Sequence, residues 1–93
     1  MIDPPEVHRA GPAERGAALG AIVLGFATDP FNRWLFPDGA RYLAAMPAMA
    51  DAFGGRAFDS GTAFVAAAGS GAALWLPPGV EPDRERMLNV LFD

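Results

Sequence analysis

Residues 62–79 read TAFVAAAGSGAALWLPPG. Two apolar runs, Thr62 to Ala68 and Ala72 to Leu76, flank Gly69-Ser70-Gly71, a short glycine-bearing connection that predicts an antiparallel hairpin. Pro77-Pro78 ends the second run as a strand, because neither proline can donate to a ladder.

Upstream of the hairpin the periodicity changes from strand to helix. Tyr42, Leu43, Met46, Met49 and Phe53 recur at helical spacing behind Asp38-Gly39, with Pro47 expected to kink or divide the helix and Gly54-Gly55 expected to stop it. Asp29-Pro30 predicts a shorter helix over Pro30 to Phe36, since aspartate can cap a turn while proline fills its first position. Before that, Pro12 and Glu14 introduce a helix whose Leu19, Ile22, Val23 and Phe26 share one face. Its Gly16, Gly20 and Gly25 each cost about 1 kcal/mol relative to alanine, which predicts close packing against another backbone. Glu6 to Ala10 reads as a first strand, and downstream Met87, Leu88 and Leu91 form one face of a last helix after Glu81-Pro82-Asp83. The expectation is an α/β fold of the α+β type, a mostly antiparallel sheet of about three strands with helices packed on it.

Composition narrows the function. The chain has 93 residues, enough for one small domain or part of one, with a core that buries roughly 60 to 70% of the unfolded surface. Apolar residues make up 52% and charged ones 19%, which excludes a disordered tail. A net charge of −4 and no arginine stripe interleaved with aromatics argue against nucleic acid as a partner. With no cysteine there is no disulfide and no thiolate metal site, and one histidine with scattered acids assembles neither a metal cluster nor a Ser-His-Asp order. The run from Gly16 to Ala27 is too short to span a membrane and follows acidic residues that spoil a signal peptide, so the cytoplasm is the expected compartment. All seven basic residues are arginine, a usage that points to a GC-rich bacterial genome.

Two stretches, DPFNRWLFPDGAR (Asp29 to Arg41) and ALWLPPG (Ala73 to Gly79), set between a first helix and a hairpin, resemble a bacterial subgroup of the GNAT superfamily of N-acetyltransferases. The resemblance covers nearly the whole chain and implies that residues 1–93 are a single N-terminal portion of such a domain, a partial GNAT fold. It also implies that the first strand and the helices wall an acceptor pocket, with the ALWLPPG strand ending near the acceptor amine. The implied reaction is acetyl transfer from acetyl-CoA to an amine, with a base for the ammonium proton and an acid, often tyrosine, for the thiolate. The family's cofactor segment, Arg/Gln-x-x-Gly-x-Gly/Ala between a strand and a helix, binds pyrophosphate through backbone N–H groups and does not occur here. The expectation is therefore that this chain alone binds no acetyl-CoA and is inactive until a C-terminal half or a complementing chain supplies the rest.

The candidate substrate-binding residues are Phe31, Trp34 and Trp75. Aromatic walls desolvate an amine and hold its cation, while helix-packing core is the competing reading for Phe31, Trp34 and Phe36. No catalytic residue is expected: Tyr42 falls in a helix and does not inherit the acid's role, and His8 reads as a solvated strand residue with no carboxylate nearby. Asp29 and Asp38 read as caps, and Arg33, Arg41, Arg84, Glu85 and Arg86 as structural or solvated charges. The alternative function is a small non-enzymatic interaction protein that forms a homo-oligomer through an exposed sheet edge.

Overall fold

In a computed structural model describing residues 6–66 and 69–92, two helices start where an aspartate precedes proline or glycine. The Asp29 carboxylate accepts from the Asn32 N–H at 3.0 Å and opens α2 (Pro30–Leu35). Asp38 accepts from the Arg41 N–H at 3.0 Å and opens α3 (Gly39–Gly54). Each cap satisfies one of the donors that a helix leaves unpaired at its start. The first helix begins later than Pro12: Pro12–Glu14 is a single 3₁₀ turn, in which Glu14 reaches back to the Gly11 N–H at 3.0 Å, and α1 covers Arg15–Gly25.

Pro47 does not divide α3, which runs unbroken across it. The proline sits on the exposed side, where water can satisfy the Leu43 carbonyl that loses its partner. Nor does Gly54-Gly55 end the helical course of the chain. Gly55 holds right-handed helical angles (φ −64°, ψ −24°), so a further helix not expected from the sequence, α4 (Arg56–Ser60), follows at once. Gly61 terminates it in the left-handed region (φ 70°), and the Thr62 N–H returns to the Ala57 carbonyl at 2.9 Å.

Among the described residues the sheet has three antiparallel strands in the order β1-β2-β3, formed by Val7–Arg9, Ala63–Ala66 and Ala72–Leu74. Register is set by His8 opposite Val65 and Phe64 opposite Ala73. All three strands are shorter than expected, and Ala67 and Ala68 lie outside the described residues. Ala63 and Val65 are buried on the helix side of β2, while every residue of β1 is exposed.

The core joins Val23, Phe36, Tyr42, Ala45, Met46 and Met49, with Met87, Val90 and Leu91 of α5 (Arg84–Phe92) packed against it. Half of the buried hydrophobic residues among those described are alanine, so the layers approach closely but bury little apolar area per residue. The helix stripes are correspondingly shifted from the sequence reading. Leu43 and Phe53 were expected inside, yet they are 60% and 57% exposed while Ala45, Ala50 and Ala52 face inward. The α1 glycines correct a second expectation: a Cβ at Gly16, Gly20 or Gly25 would meet nothing within 4 Å. Close approach occurs instead at Gly54, where a Cβ would lie 2.9 Å from Leu74 Cδ1.

Candidate functional site

α1, α2, α3, α5 and β3 do not close fully against one another, and a cavity of about 660 Å³ remains between them. That volume lies in the range that holds a small organic molecule. Ile22 reaches it from α1 and Phe26 from the residue that follows, Phe31 and Asn32 from α2, and Met46 and Met49 from α3. Leu74 and Trp75 border it at the end of β3, and Met87 and Leu91 approach from α5.

Among the described residues its wall is almost wholly apolar, with Asn32 the one polar side chain and no charged residue in the lining. The Asn32 Nδ2 group is engaged, donating to the Asp29 carboxylate at 3.1 Å. Such a surface favours the apolar body of a ligand by removing it from water, and offers nothing that exchanges a proton at neutral pH.

The three candidate binding residues are distributed as follows. Phe31 and Trp75 line the cavity, so the two motif stretches meet at one place in the fold. Trp34 does not line it: one helical turn beyond Phe31, it stacks on that ring at 6.3 Å between centroids and is 74% exposed. Phe36, weighed with them, is buried in the core. The residues missing from the sequence reading are those of the floor, Ile22, Met46 and Met49, whose helical spacing looks identical for a core and for a cavity wall.

The charged residues do structural tasks. Arg33 donates to the carbonyls of Ala27, Phe36 and Pro37 at 3.3, 3.3 and 2.9 Å, closing the ends of the α1–α2 and α2–α3 links. Its guanidinium also lies 5.8 Å from the centre of the Tyr42 ring. The Tyr42 hydroxyl donates to the carbonyl of Val23. Burial pushes its pKa up, the Arg33 charge opposes that shift, and the Asp29 charge adds to it. His8 departs from expectation by having a carboxylate partner, Glu14 Oε2 at 2.8 Å. That pair is exposed and lies outside the cavity lining. Glu14 is held below the usual carboxylate range, first by the Gly11 N–H and then by His8.

Among the described residues, no group of three or more His, Cys, Asp or Glu side chains is placed to hold a metal ion. No helix among them is long and apolar enough to cross a membrane. No family model matches the chain, and neither the curated proteins nor the solved structures contain a significant match to it.

Proposed function

We propose that this chain is the acceptor-side part of a GNAT-like N-acetyltransferase, holding the apolar body of an amine while a further segment supplies acetyl-CoA. The observation that carries this reading is the meeting of Phe31 and Trp75 in one cavity. They come from the two stretches on which the resemblance rests, DPFNRWLFPDGAR and ALWLPPG. The antiparallel order β1-β2-β3, with helices between β1 and β2, supports the same reading.

The roles of the residues follow from their chemistry. Phe31 and Trp75 would face the acceptor's cationic head before it loses a proton, an arrangement worth about 0.5 to 1 kcal/mol at rings as exposed as these. The apolar floor would take the acceptor's hydrocarbon or aromatic body. Neither a base nor an acid for acyl transfer stands in the cavity wall among the described residues, so in this reading both the proton acceptor and the thioester come from a further segment.

Calorimetry on the chain alone provides the test, with acetyl-CoA and benzylamine as separate titrants. The expected result is no heat of binding with acetyl-CoA, and saturable benzylamine binding that weakens in Phe31→Ala and Trp75→Ala. Saturable acetyl-CoA binding, or no benzylamine binding by a folded chain, would overturn the reading.

A further inference from the structure

β3 closes one side of the sheet and, among the described residues, pairs only with β2. The bonds from Trp75 N–H to Thr62 O (3.1 Å) and from Ala66 N–H to Gly71 O (2.9 Å) fix the alternation of that ladder. Gly71, Ala73 and Trp75 therefore turn their backbone groups toward β2, and Ala72 and Leu74 turn theirs away from it. The cavity, lined by Ala72, Ala73, Leu74 and Trp75, adjoins this strand, and five exposed aromatic rings stand at or beside the cavity. Phe26, Phe31, Phe53 and Trp75 border the cavity, and Trp34 stacks on Phe31.

We propose that this face is the contact surface of a symmetric homodimer, in which β3 of one protomer pairs antiparallel with β3 of its partner. A two-fold axis at Ala73 brings Ala72 of each protomer opposite Leu74 of the other. The outward N–H and C=O groups then pair across the axis, and the two sheets become one of six strands.

Area argues for a protein-sized occupant. At roughly 150 to 250 Å² per aromatic side chain, the exposed portions of these five rings amount to about 600 Å² per protomer. Doubled, that reaches the roughly 1,200 Å² at which stable interfaces begin, before β3 itself is included. A small apolar ligand would fill the cavity but leave Trp34 and the outward groups of β3 in water. A helix would cover the rings without pairing the edge.

Charge argues for a second copy. The chain carries a net −4, yet among the described residues no charged one lines the cavity, so two copies meet here without those charges facing each other across the cavity. The opposite edge is less suited, since β1 is exposed throughout, carries His8 and Arg9, and contributes nothing to the apolar wall. The inference does not rest on acyl transfer, and since a second copy would close the cavity, a segment bringing acetyl-CoA to it would have to displace that copy.

The test is multi-angle light scattering with sedimentation equilibrium on the full chain, with circular dichroism to establish folding. The wild-type chain is expected at twice the monomer mass. Ala72→Pro removes one outward N–H while leaving the β2–β3 bonds in place, and Trp34→Glu sets a charge into the aromatic face. Both are expected to fold and to raise the dimer dissociation constant roughly tenfold or more. Leu43→Glu, at an exposed apolar position outside the cavity lining, is expected to leave the dimer intact. A wild-type monomer at all concentrations overturns the proposal, as does an open-ended aggregate. So does a dimer that survives both face variants, or one that Leu43→Glu dissociates equally.

Discussion

At the scale of single residues, Tyr42 shows how one side chain settles two problems. α1 leaves its last carbonyls without intrahelical partners, and the Tyr42 hydroxyl satisfies that of Val23 while the ring, 2% exposed, fills the core. Tyr42→Phe keeps the ring and strands the carbonyl, so urea denaturation should show a loss of about 1 to 2 kcal/mol. The same residue gives an alkaline signature. Its folded pKa is raised above 10.0, so the neutral form is the one the fold favours. That contribution is complete below the unfolded pKa and is lost as pH rises through the folded one. The wild-type chain should weaken above about pH 10 more steeply than Tyr42→Phe. Glu14 behaves in the opposite sense. Its pKa is lowered from 4.5, so its contribution is present above that value and disappears as pH falls through the folded pKa. Glu14→Gln should therefore flatten the acid limb of the stability curve below about pH 4.5, read by thermal melts.

At the scale of elements, glycines of identical type have opposite consequences. In α1 a Cβ at Gly20 meets open space, so Gly20→Ala should stabilise by about 0.5 to 1 kcal/mol through helix propensity alone. At Gly54 the added atom would stand 2.9 Å from Leu74 Cδ1 and 3.3 Å from its Cβ. The flexible Cδ1 can move, but the Cβ belongs to β3, so Gly54→Ala should destabilise by about 1 to 3 kcal/mol and separate α3 from the sheet. A reversed order of the two variants in chemical denaturation would refute this account of the packing. These positions also mark what the sequence could disclose. The caps at Asp29 and Asp38, the hairpin and the helical periods were legible because each depends on local chemistry. The turn of α3 into α4 was not, because glycine in the right-handed region leaves no signature distinct from glycine as a stop. The inward face of α3 was misjudged because close contact with its neighbours selects Ala45, Ala50 and Ala52 over the larger Leu43 and Phe53.

At the scale of the whole molecule, the cavity was only half legible: its two aromatic walls stand in recognisable stretches, but its floor is spread over helices that sequence periodicity assigns to an ordinary core. One side of it depends on α5, which packs Met87, Val90 and Leu91 against the core without fully burying any of them and adds polar contacts to the rest. Asp51 of α3 pairs with Arg15 at the start of α1 and with Arg86 of α5, the latter at 3.2 Å. Arg41 donates to the Val90 carbonyl at 3.1 Å, and the Asp83 N–H donates to that of Ala52 at 2.8 Å. Helices held in this way open locally before the global transition, so α5 amides should exchange with deuterium faster than those of α3. Asp51→Asn weakens both ion pairs at once, and for partly exposed pairs the loss should be about 1 kcal/mol. Of the two pairs only that with Arg86 ties α5, and its share of the loss, about half, corresponds to a roughly twofold acceleration of exchange in α5. Because these pairs are accessible to salt, the difference between wild type and variant should shrink as ionic strength rises. Equal protection of α5 and α3, or an acceleration in Asp51→Asn spread evenly over the sheet, would mean that α5 is an integral part of the core and the cavity a fixed one.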